Sequence, residues 1–503
     1  MVADHHVAAP GGHRHHTSLL NVMLILASGL ASFNYGYMNN VIAGSFAQTT
    51  FVSKFLSDGN ASSIIDAIVS GFFGFALIGA VIQAPISSRW GRRAATGVAA
   101  VLLIIAGVLQ SGAVNTAMFL AARYIGGMGC GMVVSNTPVY MSEIAPPHTR
   151  GLLVGLQGNC IVMGYIISSC LAFGFQYVTE SYQWRLNFIV STAMAVLLLV
   201  SLIFLPESPR WLIEKGRPED AARILNQIHT SKEDADSSYA RAEMAQISAQ
   251  VEAERQLPSS YLYILRTPSM RKRLICTLLV WVMGISTGIT VLANLTPTLF
   301  GGLGYGTKLQ FGLSIVWTVC LFLGCFVNIY LMDRIGRVKL LVAGGILNSI
   351  LLACEAALEA VYLNSDNQAG IRAAVAMYFL IAFSFTSTIE CTGYVYGCEI
   401  WPMHLRSKGA AISYFGFYIT SIYTTAPASQ AFATIGWKYY MVFIAITIPL
   451  SITIWFVLPE TAGLTLESIG AKFGDTVQLE FEEVLQEKIR ERVENVEKAG
   501  QTS

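Results

Sequence analysis

The chain is dominated by long hydrophobic stretches that contain no Asp, Glu, Lys or Arg. Such runs cover residues 17–53, 67–88, 94–122, 151–179, 186–206, 274–307, 309–332, 409–437 and 439–459. An α-helix needs about 20 apolar residues to cross the hydrocarbon core of a bilayer, and every run is long enough. The runs do not alternate between polar and apolar positions, as the strands of a β-barrel would. The pattern therefore predicts an all-α membrane protein.

These runs predict twelve membrane spans. The spans lie near residues 18–38, 65–86, 95–112, 115–139, 151–172, 187–205, 274–300, 309–331, 339–361, 372–397, 408–430 and 438–458. A polar, helix-like segment separates the first six spans from the last six. The sequence thus predicts five parts, which are a disordered His-rich tail (1–17), a six-helix half (18–205), a helical linker (206–273), a second six-helix half (274–458) and a second tail (459–503).

Charge is scarce in this chain and unevenly distributed. Charged residues make up 13% of it, whereas an ordinary soluble domain contains about 25%. The segment 207–273 holds 11 basic and 10 acidic residues, and 460–498 holds 5 basic and 10 acidic. This distribution argues against a soluble enzyme. Because no basic face is available to meet phosphates, we expect no binding to nucleic acid.

The cysteines and histidines give no sign of a metal or redox site. All nine cysteines lie in hydrophobic runs, without the spacing of a zinc site or a disulfide framework. Five histidines cluster near the amino terminus, and we interpret them as part of a disordered tail. They are His5, His6, His13, His15 and His16. We therefore expect neither a bound metal nor a cofactor, and no catalytic residue set is visible.

Basic residues predict the orientation of the chain in the bilayer. Arginines follow the even-numbered spans, as at Arg89, Arg150, Arg334 and Arg406, and the loops between are nearly free of Lys and Arg. Because cytoplasmic loops carry the excess of positive charge, we expect both termini in the cytoplasm. The first loop on the opposite side contains Asn60 in an Asn-Ala-Ser sequon, a candidate site for N-glycosylation.

Three short motifs occur twice, in the same order. Arg89-Trp90-Gly91-Arg92 returns at Arg334 with an offset of 245, the Glu143 motif returns at Glu399 with an offset of 256, and Pro206-Glu207-Ser208 returns at Pro459 with an offset of 253. Similar offsets indicate a duplicated six-helix unit. Repeats of this kind in membrane proteins are typical of alternating-access transport, with the substrate bound between the halves.

With these motifs the chain resembles the sugar-porter (sugar transporter) family of the major facilitator superfamily, most closely its fungal members. The resemblance covers about residues 18–470. It is carried by Arg89-Trp90-Gly91-Arg92-Arg93, Pro138 to Pro146 (PVYMSEIAP), Pro206 to Leu212 (PESPRWL), Asp333 to Arg337 (DRIGR), Tyr396 to Pro402 and Pro459-Glu460-Thr461. It implies the major facilitator fold, with twelve transmembrane helices in two pseudo-symmetric halves, and a transporter instead of an enzyme.

The resemblance also implies gating by charged residues at the cytoplasmic ends of the spans. Opposite charges there would pair across helices when that side is closed, and separate into water when it opens. Such pairs are worth little when exposed and more when partly buried, which suits a latch that must open. The coupling and gating residues are Arg92, Arg123, Glu143, Arg150, Glu207, Asp333, Arg337, Glu399 and Arg406. In one departure, Ser88 replaces the aspartate that the family carries before Arg89.

The expected substrate site departs further from the family pattern. Sugar porters carry a Gln-Gln-x-x-Gly-x-Asn block in the seventh span, whereas Gly284 to Thr290 contains no glutamine or asparagine. The chain retains more of the aromatic residues of the family pattern than of its amide residues. The cavity is therefore predicted to be less polar than a hexose site. The residues expected to contact the solute are Gln157, Thr290, Asn294, Glu390, Tyr394 and Tyr418.

The proton-coupling position departs as well. Proton-coupled members carry an aspartate in the first span near the arginine of the fourth, and here Met38 or Asn39 replaces it. Glu390, in the middle of the tenth span, is the best candidate for a relocated carboxylate. Burial favours the neutral form of such a group, which suits proton exchange. Glu390 as a structural partner of Arg123 is one alternative, and facilitated diffusion without protons is another.

Two local patterns concern single spans. Gly127 and Gly131, four residues apart in the fourth span, predict the close approach of a neighbouring helix. Glu355 and Glu359 lie near the outer end of the ninth span. We expect both of these carboxylates to be solvated.

Together these features predict alternating-access transport of a sugar or sugar-like small solute, either proton-coupled or facilitative. The chain is expected to act as a monomer in a fungal-type plasma membrane. One alternative is an exporter of a less polar metabolite, which the missing amides favour. A second alternative is a nutrient sensor that binds its ligand without transporting it.

Overall fold

The structure is a computed structural model that describes residues 19–57, 59–144, 150–178, 182–229, 238–254, 257–258, 260–363, 365, 367–402, 405–464 and 466–474. All regular elements of these residues are helices. The predicted tail 1–17 lies outside the described residues, as does most of the predicted tail 459–503.

Six long helices form the first half of the molecule. They are α1 (Leu19–Ala47), α2 (Ala61–Trp90), α3 (Arg92–Ser111), α4 (Thr116–Ile144), α5 (Arg150–Phe175) and α6 (Tyr182–Ser201). Six spans form the second half, two of them interrupted. They are α7a (Pro268–Ser286) with α7b (Ile289–Gly302), α8 (Thr307–Ile335), α9 (Arg337–Tyr362), α10a (Gln368–Phe385) with α10b (Cys391–Glu399), α11 (Arg406–Thr425) and α12 (Tyr439–Val457).

Shorter helices fill the connections. They are Thr49–Phe55, Pro209–Glu214, Pro218–His229, Ser238–Glu254, Tyr261–Arg266, Ala428–Ile435 and Leu466–Phe473. Ten segments of the described chain are long and apolar enough to cross a membrane, and one of them, Lys408–Val457, holds both α11 and α12. With the 29 residues of α1, these segments confirm the all-α prediction and the twelve spans.

Two predicted spans are interrupted where the sequence indicated continuous helices. The seventh breaks at Gly288, whose φ of 79° lies in the left-handed region that favours glycine. The tenth contains a π-helical turn, Thr386–Glu390, in which the Thr388 hydroxyl donates to the carbonyl of Ser384 at 2.6 Å. Such turns widen a helix locally and are frequent at functional sites. The turn ends on Glu390.

We call the end of the bundle that carries Arg92 and Arg337 the basic end, and the opposite end the far end. At the basic end, matching turns join α2 to α3 and α8 to α9. Gly91 and Gly336 occupy them with φ values of 103° and 102°. The same strained backbone therefore recurs at the same place in both halves, as the sequence repeat predicted.

Glycines let α2 and α4 approach at backbone distance. A Cβ atom at Gly131 would overlap the carbonyl oxygen of Ala76, and one at Gly127 would overlap that of Phe72. This packing confirms the close approach predicted from the spacing of the two glycines. Between the halves, α2 packs against α11, α5 against α8 and α1 against α7b.

The substitution Gly131→Ala tests the α2–α4 contact. Because a methyl group must displace the Ala76 carbonyl, we expect a loss of about 1–3 kcal/mol of stability, seen as a lower melting temperature of the detergent-purified protein. Gly74→Ala on α2 is the control, since a Cβ there meets no atom within 4 Å. Equal melting temperatures for the two variants would contradict this packing.

Candidate functional site

Five aromatic side chains form a connected group where α7a, α10b and α11 meet. The ring of Trp281 lies 4.6 Å from that of Tyr394 and 5.3 Å from that of Phe417. Tyr414 is 5.6 Å from Tyr394, and Tyr418 is 5.3 Å from Phe417. We call these five residues the aromatic group. Phe73 of α2 contacts Tyr418 at 6.4 Å, so the group touches the first half of the molecule.

Glu390 presents its carboxylate to this group. Its neighbours Ile389 and Cys391 are buried, whereas Glu390 keeps part of its surface accessible. Its charge interacts with the hydroxyls of Tyr394 and Tyr414 and with that of Tyr165 from α5. None of the described residues donates a hydrogen bond to it. The π-helical turn thus aims a carboxylate without a hydrogen-bond partner into the space between the halves.

The predicted solute-contacting residues fall into two sets. Gln157 belongs to the aromatic group's surroundings, because its Nε2 donates to Tyr414 Oη at 3.4 Å and to the Val134 carbonyl at 3.3 Å. Thr290 and Asn294 lie on α7b, where Asn294 Nδ2 donates to the Thr290 carbonyl at 2.8 Å. Within the described chain, neither of these two forms a hydrogen bond with the aromatic group. The structure therefore brings Gln157, Glu390, Tyr394 and Tyr418 together, whereas the hydrogen bonds of Thr290 and Asn294 are made with Thr424 and within α7b.

Sequence reasoning missed several aromatic members of this site. Trp281 and Tyr414 were not predicted, nor was Tyr165, whose hydroxyl accepts a hydrogen bond from Asn39 Nδ2 at 2.8 Å. Tyr35 of α1 is also buried close enough to Tyr418 and Tyr394 to interact with their hydroxyls. A usable signal existed, since each of these polar aromatics lies inside an otherwise apolar span.

Arg123 of α4 is fully buried, and it lies against the part of α1 where Met38 or Asn39 replaces the aspartate expected of proton-coupled members. Its guanidinium donates to the carbonyls of Met38 at 2.6 Å and Asn39 at 3.3 Å. It also lies 4.1 Å from the ring centroid of Phe72, a favourable cation–π distance. Backbone oxygens and an aromatic face thus replace the missing aspartate. No ion pair joins Arg123 to Glu390 among the described residues, so the structural-partner alternative receives no support.

At the basic end, the first-half motifs converge on α3. Arg92 forms a bidentate pair with Glu143, with both N–O distances at 2.8 Å. Glu207 accepts hydrogen bonds from the backbone N–H groups of Arg92 at 2.8 Å and Arg93 at 3.2 Å. A carboxylate at a helix amino terminus satisfies unpaired N–H groups and faces the positive end of the helix dipole. Ser88, which replaces the family's aspartate, accepts a hydrogen bond from Trp211 Nε1 through its carbonyl.

The second half repeats this arrangement. Arg337 contacts Asp333 at 2.9 Å and Glu399 at 3.1 Å. Glu460 accepts hydrogen bonds from the backbone N–H of Arg337 at 2.8 Å and of Val338 at 3.1 Å, at the start of α9. These pairs tie helices together within one half. Arg406 begins α11, and the side chain of Arg150 lies outside the described residues.

The two capping glutamates differ in their electrostatics. Burial raises the pKa of Glu207, although the N–H groups of Ser208, Arg92 and Arg93 act in the opposite direction. Burial acts on Glu460 in the same sense, but four backbone N–H donors outweigh it and lower its pKa. Glu460 is therefore the firmer anion of the two.

At the far end a carboxylate joins the two halves directly. Asp66 near the start of α2 accepts hydrogen bonds from the backbone N–H of Ser429 at 2.7 Å and of Gln430 at 3.3 Å. These N–H groups open the helix Ala428–Ile435, so the carboxylate also meets the positive end of that helix. Asp66 is only 5% exposed. At the far end the two halves are therefore joined by a buried, charge-assisted contact that sequence reasoning missed.

One expectation about α9 is wrong. Glu355 and Glu359 were expected to be solvated, but their exposed fractions are 0% and 9%. They lie on the face of α9 that packs against α10a and α12, where Glu359 accepts hydrogen bonds from Tyr378 at 2.9 Å and Tyr440 at 3.2 Å. The position near a helix end did not reveal which face the carboxylates occupy.

Asp66→Asn tests the far-end contact. An amide keeps the shape but loses the charge, and hydrogen bonds to a charged group contribute about 1.5–3 kcal/mol, so the far-end-open population should rise about tenfold or more. Double electron–electron resonance between spin labels at Ser53 and Ala433 measures it, after the exposed Cys170 and Cys354 are replaced by serine.

The matched control for this measurement is Ser63→Ala, which removes the exposed hydrogen bond between Ser63 Oγ and Gln430 Nε2. We expect no change in the distance distribution for the control, because an exposed neutral hydrogen bond contributes little. An unchanged distribution for Asp66→Asn would show that Asp66 does not hold the far end closed.

Comparisons with known proteins agree with this architecture. The family model described as "Sugar (and other) transporter" matches residues 20–473. An MFS-type transporter, criB of Aspergillus cristatus, is 31% identical over 93% of this chain and 96% of its own length. The high-affinity glucose transporter of Kluyveromyces lactis is 26% identical over 82% of this chain and 77% of its own length.

Solved structures show the same fold. The xylose transporter XylE from E. coli, in a partially occluded inward-open conformation, superposes with a TM-score of 0.75 at 22% identity. The match covers 89% of this chain and 100% of that chain. The predicted twelve-helix major facilitator fold is confirmed. The chain is a multi-pass membrane protein that belongs to the sugar (and other) transporter family of the major facilitator superfamily, a class of transporters and not of enzymes.

Proposed function

We propose that the protein carries a sugar or a sugar-like small solute across the membrane, bound between its two halves beside the aromatic group. The observation that supports this most strongly is the Glu390 carboxylate, which has no hydrogen-bond partner among the described residues and lies among tyrosine hydroxyls. The family and its glucose-transporting and xylose-transporting members support a solute of this class.

The chemistry of the aromatic group suits a polyhydroxylated solute. Aromatic faces pack against the C–H faces of a sugar ring, and Glu390 would accept hydrogen bonds from its hydroxyls. Gln157 Nε2 would add one donor to the solute, since its contacts with Tyr414 and Val134 are long at 3.4 and 3.3 Å. Hydrogen bonds from a bound solute would satisfy polar groups that are weakly paired within the protein.

Alternating access would follow from the contacts between the halves. The Asp66 contact closes the far end, so release of its two N–H partners would let the halves rock and expose the site there. Glu390 would carry the proton in a coupled cycle, because a carboxylate in an apolar bundle exchanges a proton more readily than it holds a permanent charge.

We also propose the setting in which this occurs. The basic end would face the cytoplasm, which places both termini there, and the membrane would be the plasma membrane. Asn60 is exposed at the far end and would then be available for glycosylation. The chain would act as a monomer with lipid around it, because its solute site is formed between its own halves.

A second candidate function is the export of a less polar metabolite. The aromatic group contains one tryptophan, one phenylalanine and three tyrosines, and Gln157 is the single predicted amide beside it. The relative with 31% identity is named as an MFS-type transporter, without a solute. These observations favour a flatter and less hydroxylated cargo. The sensor alternative has no observation in its favour.

Glu390→Gln tests the role of the carboxylate. With purified protein in proteoliposomes, we expect labelled glucose uptake that an inward proton gradient stimulates in the wild type. The variant should lose that stimulation, with at least tenfold slower gradient-driven uptake, because the amide cannot release a proton. Glu219→Gln, on the exposed part of the linker helix Pro218–His229, is the matched control and should behave like the wild type.

Other outcomes of this assay separate the alternatives. Sugar uptake that ignores the gradient in both proteins would identify a facilitator and exclude Glu390 as the proton carrier. Transport of an aromatic or other weakly polar metabolite, with no sugar in a panel of hexoses, pentoses and polyols moving, would favour the second candidate. Absence of transport for every solute tested, despite specific sugar binding, would favour a sensor.

A further inference from the structure

A second group of titratable side chains lies in the second half, outside the solute site. Glu355 and Glu359 are one turn apart on α9, with exposed fractions of 0% and 9%. Tyr378 of α10a and Tyr440 of α12 face them. Glu355 lies seven residues before Tyr362, where α9 ends, so it is about 10 Å below the far end of the helix.

The polar contacts of this group are short of hydrogen atoms. Tyr378 Oη lies 2.6 Å from Tyr440 Oη, and the two hydroxyls lie 2.9 and 3.2 Å from the same oxygen of Glu359. Two hydroxyls bring two hydrogens to these three oxygen–oxygen contacts. Both hydroxyl hydrogens are therefore already used within this triangle, and neither is left to donate to Glu355.

Glu355 adds two more acceptors without a donor. Both of its carboxylate oxygens are buried, and neither has a hydrogen-bond partner among the residues that the structure describes. Glu355 and Glu359 are one turn apart on the same face of α9, so their carboxyl groups are neighbours, and two ionised carboxylates are both acceptors. Unpaired buried carboxylates are costly, and two that are in contact cannot both stay ionised. A proton between the two carboxyl groups would supply the missing hydrogen-bond donor and would remove one of the two negative charges.

We propose that Glu355 and Glu359 form a proton-binding site, in which one proton is shared between the two carboxyl groups. Glu355 carries the proton and donates to Glu359, and Glu359 stays the acceptor for the tyrosine hydroxyls. The titratable groups that face the pair are Tyr378 and Tyr440, and no Lys, Arg or His among the described residues pairs with it. The pair therefore holds one negative charge instead of two.

The observations favour a proton over a metal cation. Both tyrosine hydroxyls are at hydrogen-bonding distances from Glu359 and from each other, an arrangement that uses their lone pairs and hydrogens. A calcium ion takes six to eight oxygen ligands, and this cluster reaches six only if both carboxylates and both hydroxyls bind the ion, which would break the hydrogen bonds of the hydroxyls to Glu359. A proton needs only the two facing carboxyl oxygens.

Infrared spectroscopy of the reconstituted full-length protein tests this site. At neutral pH the wild type should show the carbonyl stretch of a protonated carboxylic acid, which shifts in D2O. Glu355→Gln should remove this band, because the amide takes over the donor role and leaves Glu359 ionised. In a Glu390→Gln background the band should persist, which separates this site from the solute site. Absence of any band that depends on Glu355 would overturn the proposal.

Thermal unfolding gives a second readout. The folded protein holds a proton that the unfolded chain releases above about pH 4.3, so this contribution to stability is full at low pH and is lost as pH rises. One such proton makes the unfolding equilibrium constant rise about tenfold per pH unit. Glu355→Gln, which imitates the protonated form, should remove this part of the pH dependence and still fold. Glu359→Gln is the second variant. It leaves Glu355 protonated in the folded state and ionised in the unfolded state, so it should keep the pH dependence of the wild type.

Two results would contradict the proton. If the melting temperatures of Glu355→Gln and the wild type fell in parallel with pH, the pair would not hold a titrating proton. If sodium chloride, but not choline chloride at equal ionic strength, raised the melting temperature of the wild type and not of Glu355→Gln, the site would bind a cation instead.

Discussion

A bilayer contains no water that could satisfy a buried polar group, so every such group must find its partner within the protein. This constraint explains how the charged residues of this chain are placed. Glu207 and Glu460 cap the first turns of α3 and α9, and Asp66 caps the helix Ala428–Ile435. In each case the partner is a backbone N–H at a helix start. The positive side chain of Arg123 follows the same rule, since it donates hydrogen bonds to backbone carbonyls of α1.

Two carboxylates without hydrogen-bond partners, Glu390 and Glu355, depart from this rule, and each departure indicates a function. Glu390 has no hydrogen-bond donor among the described residues and keeps accessible surface among tyrosines. A group that binds a solute or exchanges a proton needs both of these properties. Glu355 also lacks a donor within the described part of the chain, but it is fully buried and faces another carboxyl. The missing donor is thus supplied in two different ways. At Glu390 we propose that a solute or an exchangeable proton supplies it, and at Glu355 a proton shared with Glu359.

Much of the fold could be predicted from the sequence, because hydrophobic length reports directly on membrane spans and the repeated motifs report on the two halves. The aromatic group was predicted in part, at Tyr394 and Tyr418, from the resemblance. The breaks at Gly288 and at Thr386–Glu390 could not be predicted, since hydrophobicity is the same in a continuous and an interrupted helix. Asp66 was missed because its partner is a backbone N–H 363 residues away, which leaves no side-chain pattern to find.

The most direct test of the central claim, that solute binds at the aromatic group between the halves, is the intrinsic fluorescence of Trp281. Purified wild-type protein would be titrated with the solutes of the transport panel and compared with Trp281→Phe. We expect a saturable fluorescence change for the transported solute that is absent in Trp281→Phe, while radioligand binding to that variant persists with weaker affinity. An identical fluorescence change in both proteins would place the solute elsewhere and contradict the account.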